Sequence, residues 1–157
     1  MTKKKALIAG SACIAIVAIA GAAILFSANS DPSTFRLEDE YYAQSESMDI
    51  NKDDYEKLIS ENKTFVVMID KPGCVTTKAM RENMANFPED TQFKYYHMMW
   101  DDVKESSLHE YVKYTPSVAI IYRGKVKAFL KADSDDDAAY YNDAEALKNW
   151  IRSYIIF

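Results

Sequence analysis

Apolar positions along the chain change their spacing several times, and each change marks an element. Residues 6–26 are apolar or small throughout, 21 positions without a charge, the length of a helix that crosses a bilayer. Residues 27–50 turn polar and acidic without sustained periodicity and read as a tether, with a short helix around Leu37 to Tyr42. Helical spacing begins at Asn51, a capping residue followed by Asp53 and Asp54, and continues to about Asn62 with Tyr55, Leu58 and Ile59 on one face. Residues 64–70 form a β-branched apolar run of strand length, Pro72-Gly73 breaks it, and helical spacing returns from Cys74 to about Phe87, where Pro88 stops it. Met80, Met84 and Phe87 make that helix's buried stripe. Residues 92–100 predict a second strand buried on both faces, and 104–113 a short helix. Residues 117–122 and 125–130, joined by Arg123-Gly124, predict a hairpin. An acidic loop from Asp133 to Asp143 leads to a last helix, opened by an approximate capping box of Asn142 with Glu145 and turning Leu147, Trp150, Ile151 and Tyr154 inward. The order after the tether is αβαβαββα, so an α/β domain is expected over 51–157.

Charge orients the first of these segments. Lys3, Lys4 and Lys5 precede the apolar run, so residues 1–5 should stay in the cytoplasm and everything after Phe26 should lie outside. A cleavable signal peptide competes, because Ala28-Asn29-Ser30 offers small residues for a peptidase and cleavage would release a secreted domain. The apolar core is longer than such segments usually run, and an uncleaved single-pass anchor is preferred. Setting the three lysines aside leaves 16 basic against 24 acidic side chains in residues 27–157, a net of −8. A domain that acidic is not a nucleic-acid binder and is repelled by anionic lipid.

The chain has two cysteines. Cys13 falls within the apolar run and reads as a membrane-buried thiol. Cys74 therefore stands alone in its domain, and any disulfide it forms is with another molecule. Its place at a helix start exposes it to unpaired N–H groups and the positive end of the helix dipole, which favour thiolate. The competing reading is a small buried hydrophobe after a turn. No cofactor or metal is expected. Met68, Met80, Met84, Met98 and Met99 with Cys74 and His97 would be soft copper ligands, but core packing accounts for their spacing. Asp133 to Asp137 starts like a calcium loop, yet Ala138 and Ala144 occupy the positions that need glycine and glutamate.

With those residues in view the chain resembles the thioredoxin family over about residues 50–157. Gly73-Cys74-Val75-Thr76-Thr77-Lys78 resembles the family's Trp-Cys-Gly-Pro-Cys-Lys active turn, Thr115-Pro116-Ser117 its cis-proline segment, and Arg123-Gly124-Lys125 its Asn-Gly-Glu hairpin turn. The resemblance implies a central mixed sheet flanked by helices, with Cys74 as the attacking cysteine. It also implies a cis Pro116 that shapes the substrate groove and a Thr115 that presents backbone groups to an extended peptide. Gly73, Val75 and Thr76 complete the substrate-facing turn. Thr77 replaces the resolving cysteine; its hydroxyl can hydrogen-bond a thiolate but cannot attack a mixed disulfide. Met68 stands where the family keeps a buried aspartate. His97 falls where many members have a lysine, and it is a candidate base or charge partner for Cys74.

The expectation is thus an extracytoplasmic monothiol protein that holds exported proteins or peptides as mixed disulfides. A partner thiol would resolve them, and accessory factors of bacterial secretion such as bacteriocin export are the family-level parallel. The rival is a non-enzymatic peptide-binding module whose thiol is vestigial.

Overall fold

The computed structural model describes residues 31–42 and 47–157. The anchor or signal peptide expected over 6–26, with Lys3 to Lys5 and Cys13, lies outside the described residues. Among the described residues no helix is long and apolar enough to cross a membrane.

Five strands form one mixed sheet: β1 (Met48–Ile50), β2 (Phe65–Asp70), β3 (Tyr96–Met99), β4 (Ser117–Tyr122) and β5 (Lys125–Phe129), in spatial order β1-β3-β2-β4-β5. The first three run parallel, and β4 and β5 are antiparallel to their neighbours. Every residue of β2 and β4 is buried, as near-continuous apolar central strands require. The β4–β5 turn has Arg123 at φ 49° and Gly124 at φ 71°, the positive pair that matches strand twist in a two-residue hairpin. A Cβ on Gly124 would sit 2.4 Å from the Ile59 carbonyl oxygen, so this turn also needs glycine for space.

The helices are α1 (Lys52–Ser60), α2 (Val75–Ala85), α3 (Trp100–Lys104), α4 (Ala138–Asn142) and α5 (Ala144–Arg152). A full capping box opens α1, Asn51 accepting from the Asp54 N–H and Asp54 from the Asn51 N–H. α2, α4 and α5 pack together. α1 is tied instead to the α3 region, its Glu56 accepting from the Ser107 N–H at 2.6 Å.

Four expectations are corrected. The segment read as a tether carries part of the domain. Phe35, Leu37, Tyr41 and Ile50 are core residues, Asp39–Tyr41 is a 3-10 turn, and Met48–Ile50 is the edge strand, so the compact unit begins at Ser33. The strand expected over 92–100 ladders only over Tyr96–Met99: the Lys94 N–H is taken by the Tyr41 carbonyl, and Trp100 opens α3. The helix expected over 104–113 is a 3-10 turn, Ser107–Glu110, preceded by α3. The acidic loop contains a further 3-10 turn, Asp135–Asp137, and α4, and the residue that caps α5 is Asp143, not Asn142. Asn142 is the last residue of α4, and its side-chain amide donates to the Ala138 carbonyl.

Candidate active site

β2 runs straight into the cysteine turn. The Cys74 N–H donates to the Lys71 carbonyl at 3.3 Å, and Gly73 sits at φ 77°. Proline second and a positive-φ glycine third is the type II arrangement. Nothing lies within 4 Å of where a Gly73 Cβ would be, so the backbone angle alone sets this glycine.

Cys74 is the N-cap of α2, extended at φ −83° and ψ 124°, and its side chain is half-buried. The first turn of α2 holds no acidic residue to oppose an anion there. The Thr77 N–H and then the Thr77 hydroxyl hold the thiol below its ordinary value, with partial burial opposing and Thr76 adding to the lowering. Thr77 is buried and its Oγ1 has no hydrogen-bond partner, and the neutral sulfur makes no capping bond. Those donors are free for an ionised sulfur, and that is the physical source of the shift.

The Thr115–Pro116 peptide is cis, as the resemblance implies. Antiparallel pairing sets Ser117 against Ile69, and the Thr115 hydroxyl donates to the Ile69 carbonyl at 3.4 Å. The proline segment thus arrives at the end of β2 from which the cysteine turn springs. Two cavities flank that turn. One, of about 270 Å³, is lined by Lys71, Gly73, Cys74, Thr77, Lys78 and Arg81. The other, of about 470 Å³, has Thr76, Thr115 and Pro116 on one wall and Asp133, Asp135 and Tyr141 among the residues of the other. Val75 lines neither and is 83% exposed, an apolar side chain held out to solvent beside the thiol.

His97 is not gathered into either cavity. Its Nδ1 lies 3.5 Å from Asp70 Oδ2, its ring stacks on Tyr95, and Nε2 has no partner, so neither nitrogen bonds the Cys74 sulfur. Burial pushes the imidazole below its ordinary value and Arg81 adds to this, against the opposing pull of Asp70 and Asp49.

Asp70 and Arg81 went unnoticed in the sequence. Asp70 is fully buried at the end of β2, and its Oδ2 accepts from Arg81 Nε at 2.7 Å and from the guanidinium terminus as well. Met68 is itself fully buried and sits two residues earlier on the same face of β2. Arg81, which Asp70 holds, also lines the Cys74 cavity. The available signal was a carboxylate ending a wholly apolar run. A group that does not belong there by solubility needs a partner.

No protein-family model matches the chain, and no curated protein does. Among solved structures, thioredoxin f2 in its complex with ferredoxin:thioredoxin reductase is similar with a TM-score of 0.50 at 15% identity, covering 69% of this chain and 94% of that one. The thioredoxin pre-protein of Schistosoma mansoni gives 0.49 at 15% identity over 70% and 99% of the two chains. A mutant thioredoxin of Halobacterium salinarum gives 0.47 at 17% identity over 72% and 94%. The fold is thioredoxin-like.

Proposed function

We propose that this chain is a membrane-anchored, extracytoplasmic thiol-disulfide exchange protein of the monothiol type. The observation that carries the reading is Cys74 itself, half-buried at the N-cap of α2, with its thiol lowered by Thr77, beside a groove walled by a cis Thr115–Pro116. The Cys74 thiolate attacks a substrate disulfide, forming a new S–S bond to one substrate sulfur and releasing the other as thiolate. Thr77 has no sulfur with which to displace that substrate, so an external thiolate resolves the complex. Attack on the substrate sulfur carries the substrate away as a new mixed disulfide and frees the Cys74 thiolate. Attack on the Cys74 sulfur frees the substrate thiolate, and a second external thiol then removes the first from Cys74 as their disulfide. Substrates are exported proteins or peptides, or low-molecular-weight thiols in disulfide form. Lys3 to Lys5 ahead of the uncharged run 6–26 supports the anchor and the outward orientation. A small anchored domain of this kind suits an accessory role in bacterial secretion such as bacteriocin export. The test is alkylation of Cys74 against pH: an apparent pKa below the free-cysteine value of about 8.5 is expected, and one at or above it overturns the nucleophile.

A second reading, a peptide-binding module with an idle thiol, draws on the exposed apolar side chains Val75 and Tyr114. Cys74→Ser separates the two, because a binding module keeps its partner and an exchange protein loses every covalent complex.

A further inference from the structure

We propose that the larger cavity is a specificity subsite for a cationic side chain, lysine or arginine, of the peptide whose cysteine joins Cys74. This deepens the exchange reading and rests on it. One wall, Thr76, Thr115 and Pro116, belongs to the thiol turn and the proline segment, so a residue near the substrate cysteine reaches it. The opposite wall carries Asp133 and Asp135, and among the described residues neither carboxylate is in an ion pair. Asp137, by contrast, is occupied with the Lys131 N–H at 2.7 Å and Asp143 with the cap of α5.

A second, independent feature points to a ligand. Tyr141 lines the same cavity at 6% exposure, and its hydroxyl has no hydrogen-bond partner. Burial, and then the negative charge of Asp137 and Asp133, push that phenol above its ordinary range, so it stays a neutral donor and acceptor. A buried hydroxyl without a partner is costly, and a guanidinium or ammonium, which donates only, is the chemistry that both this oxygen and the two carboxylates accept. Among the described residues no three histidine, cysteine or acidic side chains converge closely enough to hold a metal ion. The volume, about 470 Å³, falls in the range of ligand pockets, roughly 300–1,000 Å³.

The test uses the full-length chain and two synthetic peptides, identical except for arginine or glutamate beside a cysteine carried as its mixed disulfide with 5-thio-2-nitrobenzoate. Attack of the Cys74 thiolate on the peptide sulfur forms the protein–peptide disulfide and expels the coloured aryl thiolate. The thiol proton goes to buffer. The arginine peptide should react about tenfold faster, a ratio that shrinks with added salt. Asp133→Asn with Asp135→Asn should cut the ratio at least threefold, by about the value of exposed charge pairs. Asp136→Asn, on the same loop but outside the cavity lining, should leave it near its starting value. Equal rates for the two peptides, or an equal loss in Asp136→Asn, overturn the subsite while the exchange reading stands. If no disulfide probe reacts, the exchange reading fails, and calorimetry on Cys74→Ser with cysteine-free versions of both peptides decides the subsite alone. Tighter binding of the arginine peptide, lost in the Asp133→Asn, Asp135→Asn background, upholds it, and equal binding overturns it.

Discussion

Charged side chains stand on both sides of the Cys74 turn, and they do opposite kinds of work. Behind it, Asp70 is fully buried with its Oδ2 clasped by Arg81 and His97 alongside, so that oxygen is committed to the protein while Oδ1 has no partner. In front, Asp133 and Asp135 stand at a cavity with no ionic partner among the described residues. An aspartate in the first setting holds an element in place, because removing its partner strands a charge in a dry environment. In the second, it is hydrated and costs the fold little, so it remains available to a ligand. The contrast teaches that burial, not residue type, divides scaffold from recognition around this thiol.

Four measurements break or sharpen that contrast. Arg81→Met should cost about 3 kcal/mol of unfolding free energy in urea, the lower end for breaking a buried pair because the guanidinium is half-exposed. Pairing it with Asp70→Leu should recover most of the loss, and a single-variant cost under about 1 kcal/mol would erase the distinction between rear and front. Thr77→Val removes one donor from the sulfur and should slow alkylation at neutral pH by up to about tenfold, the worth of a hydrogen bond to a charged group. Acidification probes the rear through His97, whose folded pKa lies below its unfolded value of about 6.5. The unfolded chain takes up the proton first, so this contribution is complete above about pH 6.5 and is lost as pH falls through that value toward the folded one. His97→Gln should flatten the decline in a thermal-melt series. Asp133→Asn with Asp135→Asn should change stability by less than about 0.5 kcal/mol, the smallest effect of the four.

What the sequence made legible was local. Pro72-Gly73 before Cys74, Arg123-Gly124 between two apolar runs, and Asn51 with Asp54 each announce their geometry within a few residues. The long-range pieces stayed hidden. Phe35, Leu37 and Tyr41 look like stray apolar residues in an acidic stretch. Only the fold reveals that the Phe35 ring meets Tyr122 at 4.4 Å and that the Tyr42 hydroxyl donates to the Ile156 carbonyl at 2.6 Å. Aromatic alternation over 92–95 mimics a strand, although the Lys94 N–H goes to the Tyr41 carbonyl of that same incoming segment. At the site, Cys74, Thr77 and Pro116 were read from adjacency and resemblance. The Asp70–Arg81 pair was not, because a separation of eleven residues across a turn and a helix carries no period that would join them. Tyr141 was invisible for the same reason, its wall of the cavity being far along the chain from the cysteine.

Phe35 is stitched to the C-terminal end by two backbone hydrogen bonds, its N–H to the Tyr154 carbonyl and its carbonyl from the Ile156 N–H, both 2.8 Å. A tug along the segment that enters at Ser33 would load these bonds together, in shear, and would have to drag an aromatic ring from its seat before any sheet strand felt the strain. The first casualty of mechanical force would then be this clasp, leaving the thiol turn and its groove undisturbed while the slack was taken up.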